Sequence, residues 1–367
     1  MPGKITTCMA ERGTAVKNLV IDRSAVKSNL QAAKNRAKGA EIIADLTGDA
    51  YGLGLLETAK LLRDGGVHTF AVSDPKDADT LRKAGFIEER LMMLRSTADS
   101  DELAELIDLG VICTVGSYEA AVAINGIAES RKTVCEVQIK IDTGMGRYGF
   151  ISTETDKIAS IFKYMPNLAI VGIFSTYSRP WKSKKATLAQ LDVFHEVMDK
   201  LTEMGFELGS AHICDSAALF KYDSDKLDAV RIGEALSGRM PGGSIPGLTK
   251  VGYVEASVEE VGWFPKGHRV GSTVLRKPAL LAVLSVGYYN GIGIRAYGES
   301  AGLLKRILGR GRNRPSVKIR GQRVKAVGGV GMTHTVVDVT KVKCAVGDRA
   351  VVDVNPMYVR GIPRIYK

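Results

Sequence analysis

The 367-residue sequence predicts an α/β fold, a (β/α)8 TIM-like barrel followed by a C-terminal all-β domain. Two observations carry this expectation. Over the first two thirds of the chain, apolar runs of strand length alternate with segments of helical period, and eight such strands with helices between them make a (β/α)8 barrel of parallel strands. Beyond about residue 248 the pattern changes to β-branched, alternating segments separated by glycine-containing turns, with few helical stretches. The expected division is therefore a barrel over residues 1–248 and a β-domain over residues 249–367.

In chain order the barrel strands are expected at 41–46, 69–73, 91–94, 111–115, 135–141, 168–174, 207–213 and 229–231. Helices are expected between them at 55–64, 75–84, 100–109, 118–128, 153–163, 187–204 and 216–220. In the second part, strands are expected at 253–261, 279–286, 316–319, 323–330 and 335–339.

Composition narrows the class. Hydrophobic content is 45%, ordinary for a globular chain, and 40 glycines suit the many tight turns of an α/β protein. No run of eighteen apolar residues points to a membrane span, and residues 1–17 lack the apolar centre of a signal peptide. Cys8, Cys113, Cys135, Cys214 and Cys344 show no paired spacing, which fits free thiols in a reducing, cytoplasmic setting. The five histidines are not spaced as metal ligands, so no metal is expected. The net charge of +11 is concentrated after residue 250, where about twenty Lys/Arg face about seven Asp/Glu. Its densest stretch, 305–325, includes Arg306, Arg310, Arg312, Arg314, Lys318, Arg320 and Arg323. No aromatic residue interleaves it, so it reads as a solvated face rather than a nucleic-acid site.

In such a barrel chemistry sits at the C-terminal strand ends. The run 140–150, KIDTGMGRYGF, follows the fifth strand and offers Arg147 as a bidentate clamp for a carboxylate. Further signatures are 49–54 (DAYGLG), 212–217 (HICDSA), 230–233 (VRIG) and 286–291 (VGYYNG). The helix expected from Ser216 would offer free N–H groups to an anion.

In this order the segments resemble the alanine racemase family of pyridoxal-phosphate (PLP) enzymes over nearly the whole chain. The resemblance implies that Lys140, often carbamylated in the family, helps place Arg147 against substrate carboxylate and the cofactor's phenolic oxygen. It implies cofactor-phosphate roles for Tyr51, Ser216 and the Gly233 backbone, and a pyridine-nitrogen role for Arg231 with His212 behind it. It implies a catalytic tyrosine, Tyr288, reaching the partner subunit's site in a head-to-tail homodimer. It places Met332 at the substrate and leaves Tyr358 near the family's second phosphate tyrosine, a position that holds Arg360.

The chain departs from the pattern where the chemistry is most demanding. Thr47 occupies the position of the lysine that holds the cofactor and serves as one of the bases, and a threonine has no amine for a Schiff base. Thr176 stands for the histidine that stacks on the ring, and Thr333 follows Met332 where the family has aspartate. Glu234 follows Gly233 and would repel a phosphate if it pointed inward. Asp45 points the same way as Thr47 and, with Thr47 at the barrel mouth, should face the barrel interior just below, where it is expected to pair with a buried cation such as Lys140.

Three readings stay open at this stage. One is a working PLP racemase with Tyr288 as its sole base. Another is a barrel enzyme with repurposed chemistry at Asp45, Lys140, Arg147, His212, Cys214, Asp215 and Tyr288. The reading favoured is a non-racemising homologue that keeps a pocket for a small anion, an amino acid or a phosphate, with PLP bound non-covalently if at all. Its expected partner is a small molecule, with no membrane.

Overall fold

The computed structural model describes residues 16–222, 226–241, 243–294 and 315–367. Of the basic stretch, Arg306, Arg310, Arg312 and Arg314 lie outside these, as does Cys8. The chain divides into two compact units, one spanning Arg23–Lys250 and the other combining residues up to Asp22 with Val251–Lys367. The residues before the barrel thus join the C-terminal unit, where the sequence pattern had placed them in the barrel.

Their contribution is β1 (Lys17–Ile21), and helix α1 (Arg23–Ala37) then opens the barrel unit. The barrel follows as β2 (Glu41–Asp45), the short turn α2 (Thr47–Tyr51), α3 (Leu55–Asp64), β3 (Thr69–Val72), α4 (Pro75–Lys83), β4 (Arg90–Ser96) and α5 (Ser100–Asp108). It continues with β5 (Ile112–Val115), α6 (Tyr118–Ser130), β6 (Cys135–Lys140), α7 (Thr155–Tyr164), β7 (Leu168–Phe174) and α8 (Lys184–Glu203). The last members are β8 (Ser210–His212), α9 (Ser216–Lys221), β9 (Ala229–Ile232) and α10 (Glu234–Ser237).

Strands β2 to β9 lie side by side in chain order, all parallel, and β9 pairs with β2. The ring closes between β8 and β9, where Asp228 N donates to Ala211 O at 3.1 Å and Arg231 N to Cys214 O at 2.9 Å. Ile43, Ala71, Met92, Ile112, Phe174 and Ala229, one from each of six strands, fill the interior. Side chains alternate along a strand, so Asp45, two residues beyond Ile43, and Arg231, two beyond Ala229, also face inward, nearer the mouth. Polar side chains start several helices: Asp74 accepts from Lys76 N, Asp99 from Glu102 N and Ser183 from Ala186 N. The Ser183 cap is why α8 begins at Lys184, three residues before the expected start at 187.

Helix α1 was not legible in the apolar pattern. It buries three alanines, Ala25, Ala33 and Ala37, and the polar Asn29 beside Val26 and Leu30. The Asn29 amide donates to Leu236 O (3.0 Å) and Thr249 O (2.7 Å) and accepts from Thr249 N (2.7 Å), so a polar side chain ties this helix to the end of the barrel unit.

The second unit is an all-β body of β1, β10 (Tyr253–Phe264), β11 (Arg269–Val270), β12 (Thr273–Val274), β13 (Ala279–Leu284), β14 (Val317–Ile319), β15 (Gln322–Val330), β16 (Thr335–Asp338), β17 (Arg349–Asp353) and β18 (Arg364–Tyr366). Eight of these form one sheet in the order β13, β16, β15, β14, β17, β10, β1, β18, with β10 also pairing to β13. β1 runs antiparallel to β10 and parallel to β18, so the N-terminal strand is held from both sides.

Candidate functional site

The C-terminal ends of the barrel strands surround a cavity of about 500 Å³, lined by residues of the barrel unit alone. The resemblance had singled out Thr47, Tyr51, Lys140, Arg147, Ser216, Arg231 and Gly233, and all of them line it. His212 lies directly behind Arg231. Asp45, Thr176, Asp215 and Glu234 also line the cavity, as do Arg95 and Trp181, which no sequence signal had marked. Tyr288, Met332 and Tyr358 belong to the other unit. Tyr288 and Met332 are exposed there, and the Tyr289 N–H beside Tyr288 donates to Met332 O at 3.0 Å.

The chain leaves β2 through a strained turn. Gly48, Asp49, Ala50 and Tyr51 all have φ between 53° and 63°, a left-handed turn that three of these residues adopt against their preference. Asp45 clamps it from below. Its Oδ1 accepts from Thr47 N at 3.0 Å and its Oδ2 from the Tyr51 hydroxyl at 3.0 Å. Asp49 secures the far side by accepting from Leu55 N at 2.7 Å. The Tyr51 ring then packs on Gly233, where any Cβ would collide with it. Burial, followed by the charges of Asp45 and Glu234, holds the Tyr51 hydroxyl protonated, well above its ordinary pKa.

Asp45 therefore does not pair with Lys140 as the alternation pattern suggested. Tyr51 and the Thr47 amide take both its oxygens, and the cation whose field it shares is Arg231. The turn chemistry at 47–51, which the sequence pattern cannot resolve, made the difference.

A cationic layer lies across the barrel. Arg231, buried, donates from NH1 to His212 Nδ1 at 2.6 Å and from NH2 to Ser175 O (2.6 Å) and Thr176 Oγ1 (3.0 Å). His212 in turn donates from Nε2 to Gln138 Oε1 at 2.8 Å. Burial, then Arg231 and Lys140, push His212 well below its ordinary pKa, so it is a neutral imidazole whose tautomer Arg231 dictates. Lys140 is 4% exposed, with its Nζ 4.5 Å above the Phe174 ring and 3.4 Å from Thr176 Oγ1. Burial, then Arg231 and Arg147, bring its pKa down to about 7. Among the described residues no carboxylate lies within ion-pair distance of Lys140 or Arg147. Lys140 is also the single lysine lining the cavity among the described residues.

The loop after β6 presents Arg147. Asp142 Oδ1 gathers the N–H groups of Gly144 (2.9 Å), Met145 (2.8 Å) and Gly146 (3.0 Å), and the Phe150 and Asp142 amides tie both ends of the loop together. Burial alone would raise the Asp142 carboxyl, but these backbone donors and Lys140 carry it below its usual range. Its charge is spent on the loop, which leaves the cations facing the cavity.

The opposite wall is acidic. Asp215 caps α9, accepting from Ala218 N at 2.8 Å, and burial lifts it to about 6 against the pull of that N–H and of Arg231. Glu234 follows Gly233, and burial, then Asp215 and Asp45, lift it to about 8. Ser216 Oγ accepts from Gly233 N (3.1 Å) and Ala235 N (3.2 Å), so two amides at the start of α10 are already satisfied by the protein. Arg95 is engaged by Glu102 and by Ser73 O. Arg231 acts on both sets of groups: Asp215 and Asp45 offset the effect of burial on it, and its own charge lowers the pKa of Lys140.

The chain is similar to proteins already known. The family model of the alanine racemase N-terminal domain matches residues 21–241, and that of the alanine racemase C-terminal domain matches residues 251–356. An alanine racemase of Methylacidiphilum infernorum is 32% identical over 338 residues, covering 90% of this chain and 81% of its own length. One of Clostridium tetani is 30% identical over 342 residues, covering 90% and 84%. The crystal structure of alanine racemase from D-cycloserine-producing Streptomyces lavendulae has the same fold, with a TM-score of 0.83 at 23% identity, covering 97% of this chain and 98% of that one. The chain belongs to the alanine racemase family.

Proposed function

We propose that this protein is a non-racemising member of its family whose barrel pocket binds a small amino acid non-covalently through its carboxylate. The observation that carries the reading is Lys140, a buried amine with no acidic partner, facing a cavity beside the unpaired guanidinium of Arg147. A buried cation of this kind is costly until an anion joins it, and a ligand carboxylate on Lys140 and Arg147 supplies one.

The family is PLP-dependent, and the residues around this cavity do not fit that cofactor. Thr47 offers no amine at the end of β2. Tyr51, whose hydroxyl the resemblance assigns to the cofactor phosphate, donates to Asp45 instead. The amides of Gly233 and Ala235 are taken by Ser216, and Glu234 stands beside them. A phosphate dianion there would face Asp45, Asp215 and Glu234, two of which are already pushed toward protonation. The retained Arg231 and Tyr288 favour the competing reading of a racemase, but neither replaces the missing amine. A head-to-tail homodimer in the cytoplasm is the setting this reading expects. Among the described residues no helix is long and apolar enough to cross a membrane.

Calorimetric titration with neutral α-amino acids tests the proposal. Saturable binding that is lost in Lys140→Met and Arg147→Ala supports it, and the same affinity in both variants would count against it.

A further inference from the structure

Lys140 has chemistry that holding a carboxylate does not use. It is the last residue of β6, 4% exposed, and the single lysine lining the cavity among the described residues. A lysine buried only to stabilise a fold is normally ion-paired. Here the neighbours are the face of the Phe174 ring, 4.5 Å from Nζ, and the Thr176 hydroxyl at 3.4 Å. Thr176 suits either form of the amine, since a hydroxyl accepts from an ammonium and donates to a neutral amine.

The charged groups around Lys140 favour the neutral form. Arg231 on β9 and Arg147 on the loop after β6 both disfavour another cation. Asp142 is the one anion that supports the charge, and its carboxylate is bonded to three loop amides. His212, the remaining titratable neighbour, is itself neutral. Burial and the two guanidiniums bring the amine to about 7, so near neutral pH about half of it carries a lone pair.

A desolvated amine beside other cations is the arrangement that makes lysine a nucleophile toward carbonyl carbon. An exposed lysine is held charged by water at this pH and attacks far more slowly. The cavity adds selection. Arg147 lines it too and keeps its proposed hold on a carboxylate, so a carbonyl next to a carboxylate is the group the two side chains share.

We infer that Lys140 is a nucleophile that forms a reversible imine with a short 2-oxo acid whose carboxylate rests on Arg147. The neutral amine adds to C2, forming a C–N bond as the C=O π bond breaks, and one amine proton passes to the oxygen. That oxygen then leaves as water with the second amine proton while the C=N bond forms. No oxidant or reductant takes part. The inference rests on the Arg147 half of the proposed carboxylate clamp and gives Lys140 a second role in its uncharged form. A phosphate-bearing aldehyde is a different case, because its phosphate would meet Asp45, Asp215 and Glu234.

The test incubates the full-length protein with pyruvate and sodium cyanoborohydride near pH 7, which reduces an imine to a stable secondary amine, and maps the labelled lysines by mass spectrometry. Lys140 should be labelled at least about tenfold faster than the exposed lysines of the same molecule. Methyl pyruvate, with the same ketone and no carboxylate charge, should lose most of this preference, and so should pyruvate with Arg147→Ala. The comparison among lysines uses the wild-type protein alone, so it stands even if the variant folds poorly. Labelling of Lys140 no faster than that of exposed lysines overturns the nucleophile. The same preference with methyl pyruvate overturns the 2-oxo acid as the ligand class. Calorimetry with L-norleucine separates the two readings. Norleucine binding without a Lys140 adduct leaves the carboxylate clamp in place, and an adduct without norleucine binding keeps the nucleophile and overturns the amino-acid reading. Absence of both takes the clamp and the nucleophile together.

Discussion

The Asp45 carboxylate accepts the Tyr51 hydroxyl at 3.0 Å across a left-handed turn, and its second oxygen accepts the Thr47 amide. One side chain thus holds a backbone conformation that Asp49, Ala50 and Tyr51 would otherwise avoid. It also occupies the hydroxyl that the family resemblance assigns to the cofactor.

Asp45→Ala removes both acceptors and leaves a buried hydroxyl and an amide without partners. Denaturant unfolding should show a loss of about 1–3 kcal/mol. Tyr51→Phe removes only one of the two bonds and should cost less. Because the two residues act through one contact, the double variant should lose less than the two single variants together. Strict additivity would mean that the contact does not hold the turn.

Lys140 makes carboxylate binding dependent on pH. Its pKa of about 7 applies to the pocket without ligand, and a bound carboxylate favours the protonated amine. Below pH 7 the amine is already charged and affinity is flat. Above it, binding must take up a proton, and affinity for L-norleucine should fall by up to about tenfold per pH unit. Lys140→Arg stays charged and should flatten the profile. A wild-type profile that stays flat from pH 6 to 8.5 would show that Lys140 is not the group that meets the carboxylate.

Glu234 links stability to pH in a defined direction. Its carboxyl titrates near 8 in the folded protein and near 4.5 when unfolded. Between those values the folded state keeps a proton that the unfolded state has released. The contribution is therefore fully present below pH 4.5 and is lost as pH rises through 8. Compared with Glu234→Gln, the wild type should lose about 1–3 kcal/mol more between pH 5 and pH 9. Parallel stability curves for the two proteins would place the carboxyl in water.

Arg231→Met should be the most damaging of these substitutions to the fold. It strips His212 Nδ1, Ser175 O and Thr176 Oγ1 of their donor inside the barrel, and a loss of about 3–5 kcal/mol is expected in denaturant unfolding. A loss below about 1 kcal/mol would mean that water reaches this layer.

Much of this was legible in the sequence because it rests on periodicity. The barrel strands alternate with helices that have clear apolar stripes, and the positions of Tyr51, Lys140, Arg147, Ser216 and Arg231 follow from ordered motifs at strand ends. What was not legible rests on geometry. Helix α1 buries three alanines and an asparagine alongside only two larger apolar residues, Val26 and Leu30, which weakens its apolar signal. β1 leaves the barrel because its partners, β10 and β18, lie more than two hundred residues away. The partner of Asp45 depends on a left-handed turn, so alternation along the strand gave the right face and the wrong contact. Arg95 and Trp181 reach the cavity from segments with no motif.

The most direct test of the account is to incubate the purified protein with excess PLP, remove the unbound cofactor, record the visible absorbance and assay L-alanine for conversion to the D form. The pocket described here predicts a colourless protein and no D-alanine above background. A retained absorbance band together with racemisation would contradict it, and would mean that Asp45, Glu234 and Thr47 exclude neither the cofactor nor the reaction.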